Sequence, residues 1–244
     1  MRSIPPLGFV AGSTVEAALK ATGRLAGLCR RWQEFWGDAA TFPEYTFSMS
    51  IALAGINPPL RIVRDEPMSL DEFWRFSAEN PELRLEREPN GDVVLMSPTL
   101  GGAGVRASSV FGQLYMWAEK DGSGYALDSN TGCQLPDGAV RSADAAWISS
   151  QRWTPPPVQD DAPVPFPDFV IEFRSKSERL KPAQTKMLSW IANGVQLAWL
   201  VDPHRKVVEI YRPSQAVEVQ EGHTAVYGEG PVGGFVLELG KIWS

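Results

Sequence analysis

Three acidic residues lie within short, mostly apolar segments that are typical of β-strands. Glu86 lies in LRLEREPNGDVVLMSPT, Asp144 in RSADAAWI and Glu172 in PDFVIEFRS. A carboxylate inside an apolar strand destabilises the fold unless a partner neutralises its charge. A hard divalent cation bound through oxygen is the simplest partner, and such a cation indicates phosphodiester chemistry. The pattern therefore predicts a metal site assembled from strands that are distant in sequence.

Glu172 lies in a strand whose side chains alternate between two faces. On that period Val170, Glu172 and Arg174 share one face, and Ile171 and Phe173 share the other. Glu172 and Arg174 therefore project side by side, as an acidic and a basic group that can hold a metal ion and contact a phosphate. An ordinary Glu–Arg pair at a sheet edge is the alternative interpretation of the same pattern.

The other two carboxylates each have a structural alternative. Asp144 is flanked by alanines, which leave space beside a carboxylate, yet an aspartate at the start of a strand is often a turn or capping residue. Glu86 alternates with Arg84 and Glu88 along its strand, and that spacing also fits the solvent-exposed face of a hairpin. Both residues are candidate metal ligands, and Glu86 is the weaker candidate.

Lys186 follows Glu172 by 14 residues and lies in a segment with a helical pattern. At about 100° per residue it borders the apolar stripe of Ala183, Met187 and Trp190. Its stem can therefore lie along the sheet while its ammonium reaches the carboxylates. A solvated helix lysine is the alternative.

Strand and helix patterns alternate along the chain, without an internal repeat. A helix begins after Ser69, because Ser69 and Glu72 form a capping box. The other predicted elements are a hairpin over 84–97, a helix over 105–119, strands over 125–128, 132–135, 141–149 and 168–174, a helix over 178–193, strands over 196–201 and 206–211, and a last strand pair, 217–220 and 225–227, that ends the sheet. The proline-rich segment 153–167 is predicted to be a surface loop. This order predicts an α/β fold, with a mixed β-sheet core flanked by helices and extra β-hairpins.

Residues 1–48 differ in pattern from the rest of the chain. A helical pattern over 14–36 is interrupted by two glycines, whereas Met49 opens a segment that is typical of the start of a compact domain. The extension has two explanations: a start codon assigned too early, which we favour, or a real helical extension. We therefore predict an N-terminal extension over 1–48 that packs weakly and a domain over 49–244.

The residue inventory restricts the chemistry. With two histidines and no Cys-x-x-Cys pair, the chain lacks ligands for a structural zinc site and has little for a histidine-based triad. The net charge of −6 argues mildly against a protein that coats nucleic acid, although a local basic groove can coexist with it. Cys29 and Cys133 lie far apart and are expected to be free thiols, which suits the reducing cytoplasm. No apolar run approaches the ~20 residues of a membrane helix, so no membrane association is expected.

Several segments together resemble one family. In order, they are MSLDEF, the hairpin ending in VVLMSPT, RSADAAWI, PDFVIEFRSKSE, KMLSWIANGV, LAWLVDP and VEIYRP. Their order and spacing resemble the Uma family of putative restriction endonucleases, a branch of the PD-(D/E)XK nuclease superfamily. The resemblance runs from about Met68 to Arg212, and it implies a restriction endonuclease-like fold. No single segment is decisive, but the ordered set is specific.

The resemblance also assigns residues. It places Asp144 at the first metal-binding carboxylate of the superfamily, Glu172 at the acidic position of the (D/E)XK element, and Glu86 at the glutamate that precedes the hairpin turn. Arg174 stands where the superfamily usually has a lysine, and an arginine, with a pKa above ~12, cannot act as a general base. Lys186 is interpreted as a relocated lysine or as a phosphate clamp.

A second departure lies after the SPT turn, where many relatives carry a polar residue such as His or Asn. This chain has GGAGVR over 101–106 instead.

The resemblance implies a Mg²⁺-dependent (or Mn²⁺-dependent) endonuclease, a hydrolase of nucleic acid with DNA as the favoured substrate. Asp144 and Glu172 would hold the metal, with Glu86 as a third ligand, and Lys186 or Arg174 would stabilise the transition state. A homodimer formed through the strands after Asp202 is a further implication. The alternative is a nuclease fold that has lost catalysis and acts as a DNA- or protein-binding module; the acidic balance and Arg174 favour it.

Overall fold

A computed structural model describes residues 60–155, 163–175 and 179–244. The predicted extension over 1–48 and its boundary at Met49 lie outside the described residues. The helices are α1 (Leu70–Glu79), α2 (Gly101–Asp121) and α3 (Leu180–Ala192), with a short 3₁₀ helix (Gly230–Val232). The strands are β1 (Leu60–Ile62), β2 (Leu85–Arg87), β3 (Val93–Leu95), β4 (Gly124–Asp128), β5 (Cys133–Gln134), β6 (Val140–Arg141), β7 (Ala145–Ser149), β8 (Val164–Pro165), β9 (Phe169–Phe173), β10 (Leu197–Asp202), β11 (Val207–Tyr211), β12 (Glu218–Glu221), β13 (Ala225–Tyr227) and β14 (Val236–Glu238).

The central sheet has the order β12-β11-β10-β9-β7-β4. Its β9 and β10 are parallel, and its other neighbours are antiparallel. Side chains alternate between its faces, as the sequence predicts: Ile171 packs in one apolar cluster with α2, and Val170 packs in the other with α3. The two helices therefore cover opposite faces, and the hairpin β13–β14 lies with α2. This mixed sheet between helices confirms the predicted α/β architecture.

A second sheet has the order β1-β3-β2-β6-β5-β8 and carries Glu86 on β2. The helix α1 packs on it through the fully buried Phe73. The predicted capping box is present, because the Ser69 hydroxyl accepts from the Glu72 N–H and the Glu72 carboxylate accepts from the Ser69 N–H.

The prediction of one strand over 141–149 is wrong. The chain leaves the second sheet at Arg141 and enters the central sheet at Ala145, so two strands replace one. The Ser142 N–H donates to Glu86 instead of to a strand, and the Asp144 carboxylate accepts from the Phe173 N–H. Asp144 therefore lies at the junction of the two sheets, immediately before β7.

Three further boundaries differ from the prediction. The last two strands do not pair with each other, since β12 pairs with β11 whereas β13 pairs with the unpredicted β14. The helix α2 begins at Gly101, four residues early, because the Gly104 N–H already donates to the Leu100 carbonyl. The described part of the predicted loop over 153–167 includes the strand β8, which pairs with β5.

The register places several chain segments at one edge of the central sheet. Parallel β9 and β10 end there, and antiparallel β7 and β11 begin there. We call it the site edge, because Asp144 precedes β7 and Glu172 is next to last in β9. The opposite edge holds Asp168, which precedes β9.

Asp168 is an anchor of the opposite edge and is 2% exposed. Its carboxylate accepts hydrogen bonds from the Ser149 N–H, the Arg152 guanidinium and the Gln196 side-chain amide, at 2.7–3.0 Å. We expect Asp168→Ala to lower the free energy of unfolding by about 3 kcal/mol, because a half-buried guanidinium and two N–H groups lose their acceptor. Urea denaturation at neutral pH measures this.

The pH dependence of that difference is a second readout. Burial alone would raise the pKa of Asp168, but hydrogen bonds from Arg152 and Ser149 hold the pKa below its ordinary 3.8. A carboxyl with a depressed pKa stabilises the fold fully above its unfolded pKa and loses that contribution as pH falls. The gap between wild type and Asp168→Ala should therefore shrink below pH 3.8. A gap that stays constant with pH would contradict the assignment.

Candidate active site

Glu172 is the centre of the polar cluster at the site edge. It is 6% exposed and lies on the α3 face of β9. Its Oε1 accepts from the Trp190 indole N–H at 2.9 Å and lies 2.8 Å from the Lys186 Nζ. Burial raises the pKa of Glu172 to about 7, Lys186 opposes that rise, and the neighbouring charges of Asp144 and Glu86 add to it. Glu172 is therefore a buried carboxyl whose negative charge Lys186 compensates only in part.

Lys186 reaches the carboxylates from α3. Its helix buries Ala183, Met187 and Trp190 against the sheet, and Lys186 lies beside that stripe with its side chain 23% exposed. Its Nζ lies 2.8 Å from the Glu172 Oε1 and 3.6 Å from the Glu86 Oε1. Burial favours the neutral amine, but the Glu172, Glu86 and Asp144 carboxylates outweigh it, and the pKa of Lys186 is raised. Lys186 is therefore a positively charged side chain held in place by two ion pairs.

Glu86 is buried, not on the wet face of a hairpin. It is 5% exposed, and its Oε1 accepts from the Ser142 N–H at 3.2 Å. Its Oε2 lies 3.8 Å from the Arg141 guanidinium, which also pairs with Glu88 at 2.9 Å. The second sheet thus brings a carboxylate to the site edge of the first.

Asp144 is held by the backbone of the neighbouring strand. Its Oδ2 accepts from the Phe173 N–H at 2.8 Å, which continues the β7–β9 ladder with a side chain. This bond fixes Asp144 beside Glu172, and its charge contributes to the raised pKa of Glu172. Sequence analysis thus identified four residues that the fold brings together: Glu86, Asp144, Glu172 and Lys186.

Arg174 lies just beyond β9, on the same face as Glu172. Its Nε donates to the Asp202 Oδ2 at 2.7 Å, and a second nitrogen donates to Oδ1 at 3.3 Å. Asp202 is 2% exposed at the end of β10. The guanidinium is thus held at the site edge by the adjacent strand.

Three supporting residues were not identified from the sequence: Trp190, Asp202 and Arg141. Each acts through a contact between elements that are far apart in the chain, so composition gives no signal for it. Trp190 alone had a cue, because it lies one helical turn after Lys186 and faces the sheet. Its indole N–H is the group that orients Glu172.

The side chains of the cluster offer oxygen atoms, the ligands that a hard cation prefers. These are carboxylate oxygens that repel one another and share one lysine, the chemistry that Mg²⁺ neutralises. Within residues 60–155, 163–175 and 179–244, no group of three or more His, Cys, Asp or Glu side chains is arranged to hold a metal ion. Mg²⁺ commonly takes only one or two protein carboxylates and keeps several waters. Asp144 and Glu172 would suffice as that pair.

Comparisons with known proteins agree with the fold. The family model described as Uma2, putative restriction endonuclease, matches residues 70–240. The chain is also similar to the crystal structure of a putative nuclease belonging to DUF820 from Anabaena variabilis, with 21% identity and a TM-score of 0.60 over 72% of this chain and 98% of that one. At that identity the likeness shows the fold alone, and it confirms the restriction endonuclease-like architecture. No curated protein matches the chain significantly.

Proposed function

This chain belongs to the Uma2 family of putative restriction endonucleases, and on that basis we propose that it is a metal-dependent endonuclease that hydrolyses phosphodiester bonds, with DNA as the favoured substrate. The observation that carries the proposal is the contact of the Lys186 Nζ with Glu172 at 2.8 Å and with Glu86 at 3.6 Å, beside Asp144. A lysine among carboxylates at a sheet edge supplies the two kinds of charge that phosphodiester hydrolysis needs.

The carboxylates would act as the cation site. Asp144 and Glu172 would bind Mg²⁺ or Mn²⁺, and Glu86 would contact it through water, because the described residues form no group of three carboxylates around one ion. When bound, the cation lowers the pKa of the attacking water and neutralises charge on the scissile phosphate. The Phe173 N–H donates to Asp144, and the Trp190 indole N–H donates to Glu172. These hydrogen bonds orient the two carboxylates without a bound cation.

The basic residues would act on the phosphate. Lys186 keeps its charge and its stem is fixed on α3, so its ammonium can stabilise the negative charge that develops on the transferred phosphoryl oxygens. Arg174 would assist from the end of β9, where Asp202 orients its guanidinium. In this arrangement Lys186 would supply the charge of the lysine that the superfamily usually has at the position of Arg174.

A binding module without catalysis is the rival function. The replacement of the usual lysine by Arg174 favours it, whereas the position of Lys186 against Glu172 favours catalysis. Calorimetry with Mn²⁺ separates the two. A nuclease requires that wild type binds Mn²⁺ and that Glu172→Gln does not.

We expect the full chain to cleave DNA only when a divalent cation is present. The measurement is an assay of single- and double-stranded DNA and RNA with Mg²⁺, with Mn²⁺ and with EDTA. Cleavage that EDTA abolishes and Mg²⁺ or Mn²⁺ restores supports the proposal. Cleavage that persists unchanged in EDTA would contradict it, and binding without cleavage of any substrate would favour the rival.

The cellular location and the oligomeric state are also proposals. Cys133 is a free, buried cysteine, and burial raises the pKa of its thiol to about 12, so it is unreactive. That agrees with the cytoplasm as the proposed location. None of the helices in the described residues is long and apolar enough to cross a membrane. A homodimer through the strands after Asp202 is proposed on the family resemblance.

A further inference from the structure

The turn that joins β10 to β11 carries three consecutive basic residues at the site edge. His204, Arg205 and Lys206 are all exposed, and we call residues 203–206 the basic turn. We propose that the basic turn binds the sugar–phosphate backbone of the nucleic acid substrate beside the scissile phosphate. This inference rests on the proposed nuclease function and names the element that holds its substrate.

The topology places the basic turn on the same edge as the candidate active site. The strand β10 runs parallel to β9, with Leu200 opposite Glu172. Both strands end at the site edge, so the turn projects from that edge one strand away from Glu172. Neighbouring strands lie about 4.8 Å apart, and successive nucleotides of one DNA strand rise about 3.4 Å along the duplex, so one to two nucleotides span that distance. A strand of nucleic acid at Glu172 would therefore pass over the turn.

The Asp202 carboxylate holds the backbone of the basic turn through two hydrogen bonds. Its Oδ1 accepts from the backbone N–H groups of His204 and Arg205, at 3.1 and 3.2 Å. The same carboxylate is already neutralised by Arg174 at 2.7 Å. Backbone hydrogen bonds to Asp202 thus hold the turn, and its three basic side chains are exposed.

The Arg205 guanidinium is available to a ligand. Its side chain is 46% exposed, and it forms ion pairs with Asp202 and Glu209 at 3.9 and 3.8 Å, which are longer than hydrogen bonds. Those acids have better partners of their own, since the Tyr211 hydroxyl and the Gln184 amide donate to Glu209 at 2.6 and 3.0 Å. Phosphate oxygens are good acceptors for an exposed guanidinium whose ion pairs are long.

Lys206 provides a second, independent observation. Its φ is +54°, one of two positive values among the described residues that are not glycine. Glycine is the residue favoured in that conformation, and a lysine there strains the backbone. Its carbonyl accepts from the Gly222 N–H at 2.9 Å, but its ammonium forms no ion pair within the described part of the chain. The turn therefore presents a second exposed positive charge beside that of Arg205, at a backbone conformation that a glycine would adopt with less strain.

The test is binding of a short DNA duplex to the full chain, followed by fluorescence anisotropy in EDTA over a range of salt concentrations. Each backbone contact adds about 0.9 to the slope of log affinity against log salt. We expect Arg205→Ala and Lys206→Gly each to weaken binding and to lower that slope by about 1, and the double variant to lower it by about 2. The loss should be equal for duplexes of different sequence.

Two controls separate binding from folding. Lys206→Gly removes the charge and also relieves the positive φ, so its melting temperature should equal or exceed that of wild type. Lys120→Ala removes the same charge at the end of α2, near the start of β4 at the opposite edge, and should leave the slope unchanged. Weaker binding without lower stability would then be specific to the turn.

The outcomes also distinguish this inference from the proposed function. A double variant that binds with the wild-type slope, or a wild type that does not bind the duplex at all, overturns the role of the basic turn. If turn-dependent binding is present but no substrate is cleaved with Mg²⁺ or Mn²⁺, the turn stands and the nuclease proposal fails. If cleavage is present but the turn variants bind as wild type, the nuclease stands and the turn fails.

Discussion

Replacing Asp144 with asparagine is expected to reduce cation-dependent cleavage by at least about 10²–10³-fold without disturbing the fold. The range is that found when one preorganised electrostatic partner is removed from an active site. Asparagine is nearly isosteric and keeps a carbonyl oxygen that can accept from the Phe173 N–H, so the junction of the two sheets stays intact. What is lost is the negative charge, and with it a ligand of the cation. Initial cleavage rates with saturating Mg²⁺ measure the effect.

A matched control is Asp121→Asn, at the end of α2. Asp121 lies at the opposite edge and accepts from Ser123, its one hydrogen-bond donor among the described residues, and an asparagine can replace that acceptor. It should cleave like wild type. Calorimetry with Mn²⁺ should show the loss of cation binding in Asp144→Asn alone. An Asp144→Asn protein that cleaves at the wild-type rate would remove Asp144 from the metal site and leave the proposed mechanism without its first ligand.

The parts of the fold that sequence analysis predicted are those encoded by local chemistry. The capping box at Ser69 is a local pattern, and its two hydrogen bonds are present. The two-residue alternation around Glu172 correctly separated the α3 face from the α2 face. The helical spacing around Lys186 placed its stem beside the buried stripe and its ammonium on the carboxylates. In each case a short period in the sequence determines which side is buried.

The errors occurred where contacts between distant segments decide the structure. The segment 141–149 reads as one strand, but the Glu86 carboxylate captures the Ser142 N–H and the chain changes sheets there. The role of Asp202 depends on the parallel pairing of β9 and β10, which places it beside Arg174. The strand β14 is short, and it packs together with β13 in the apolar cluster of α2, a helix that is distant in sequence. None of these partners is close in sequence, so no local pattern reveals them.

Replacing Lys186 with methionine is expected to separate cation binding from catalysis. Methionine keeps an apolar stem that packs on the sheet, and it removes the ammonium that lies 2.8 Å from Glu172 and 3.6 Å from Glu86. If Lys186 stabilises the transition state, cleavage should fall by about 10²–10³-fold. The carboxylates should still bind Mn²⁺, because the cluster of Glu86, Asp144 and Glu172 has lost a competing cation and has become more negative.

Lys186→Met and Glu172→Gln should differ in one of two measured properties. Both should lose cleavage, but only Glu172→Gln should lose Mn²⁺ binding. Lys181→Met is the matched control, since Lys181 is exposed on the same helix and should retain both properties. The binding must be measured at alkaline pH, because loss of Lys186 removes a charge that lowers the pKa of Glu172, and a protonated carboxyl does not bind the cation. Loss of Mn²⁺ binding together with cleavage in Lys186→Met would mean that the lysine holds the ligands in place and does not act on the phosphate.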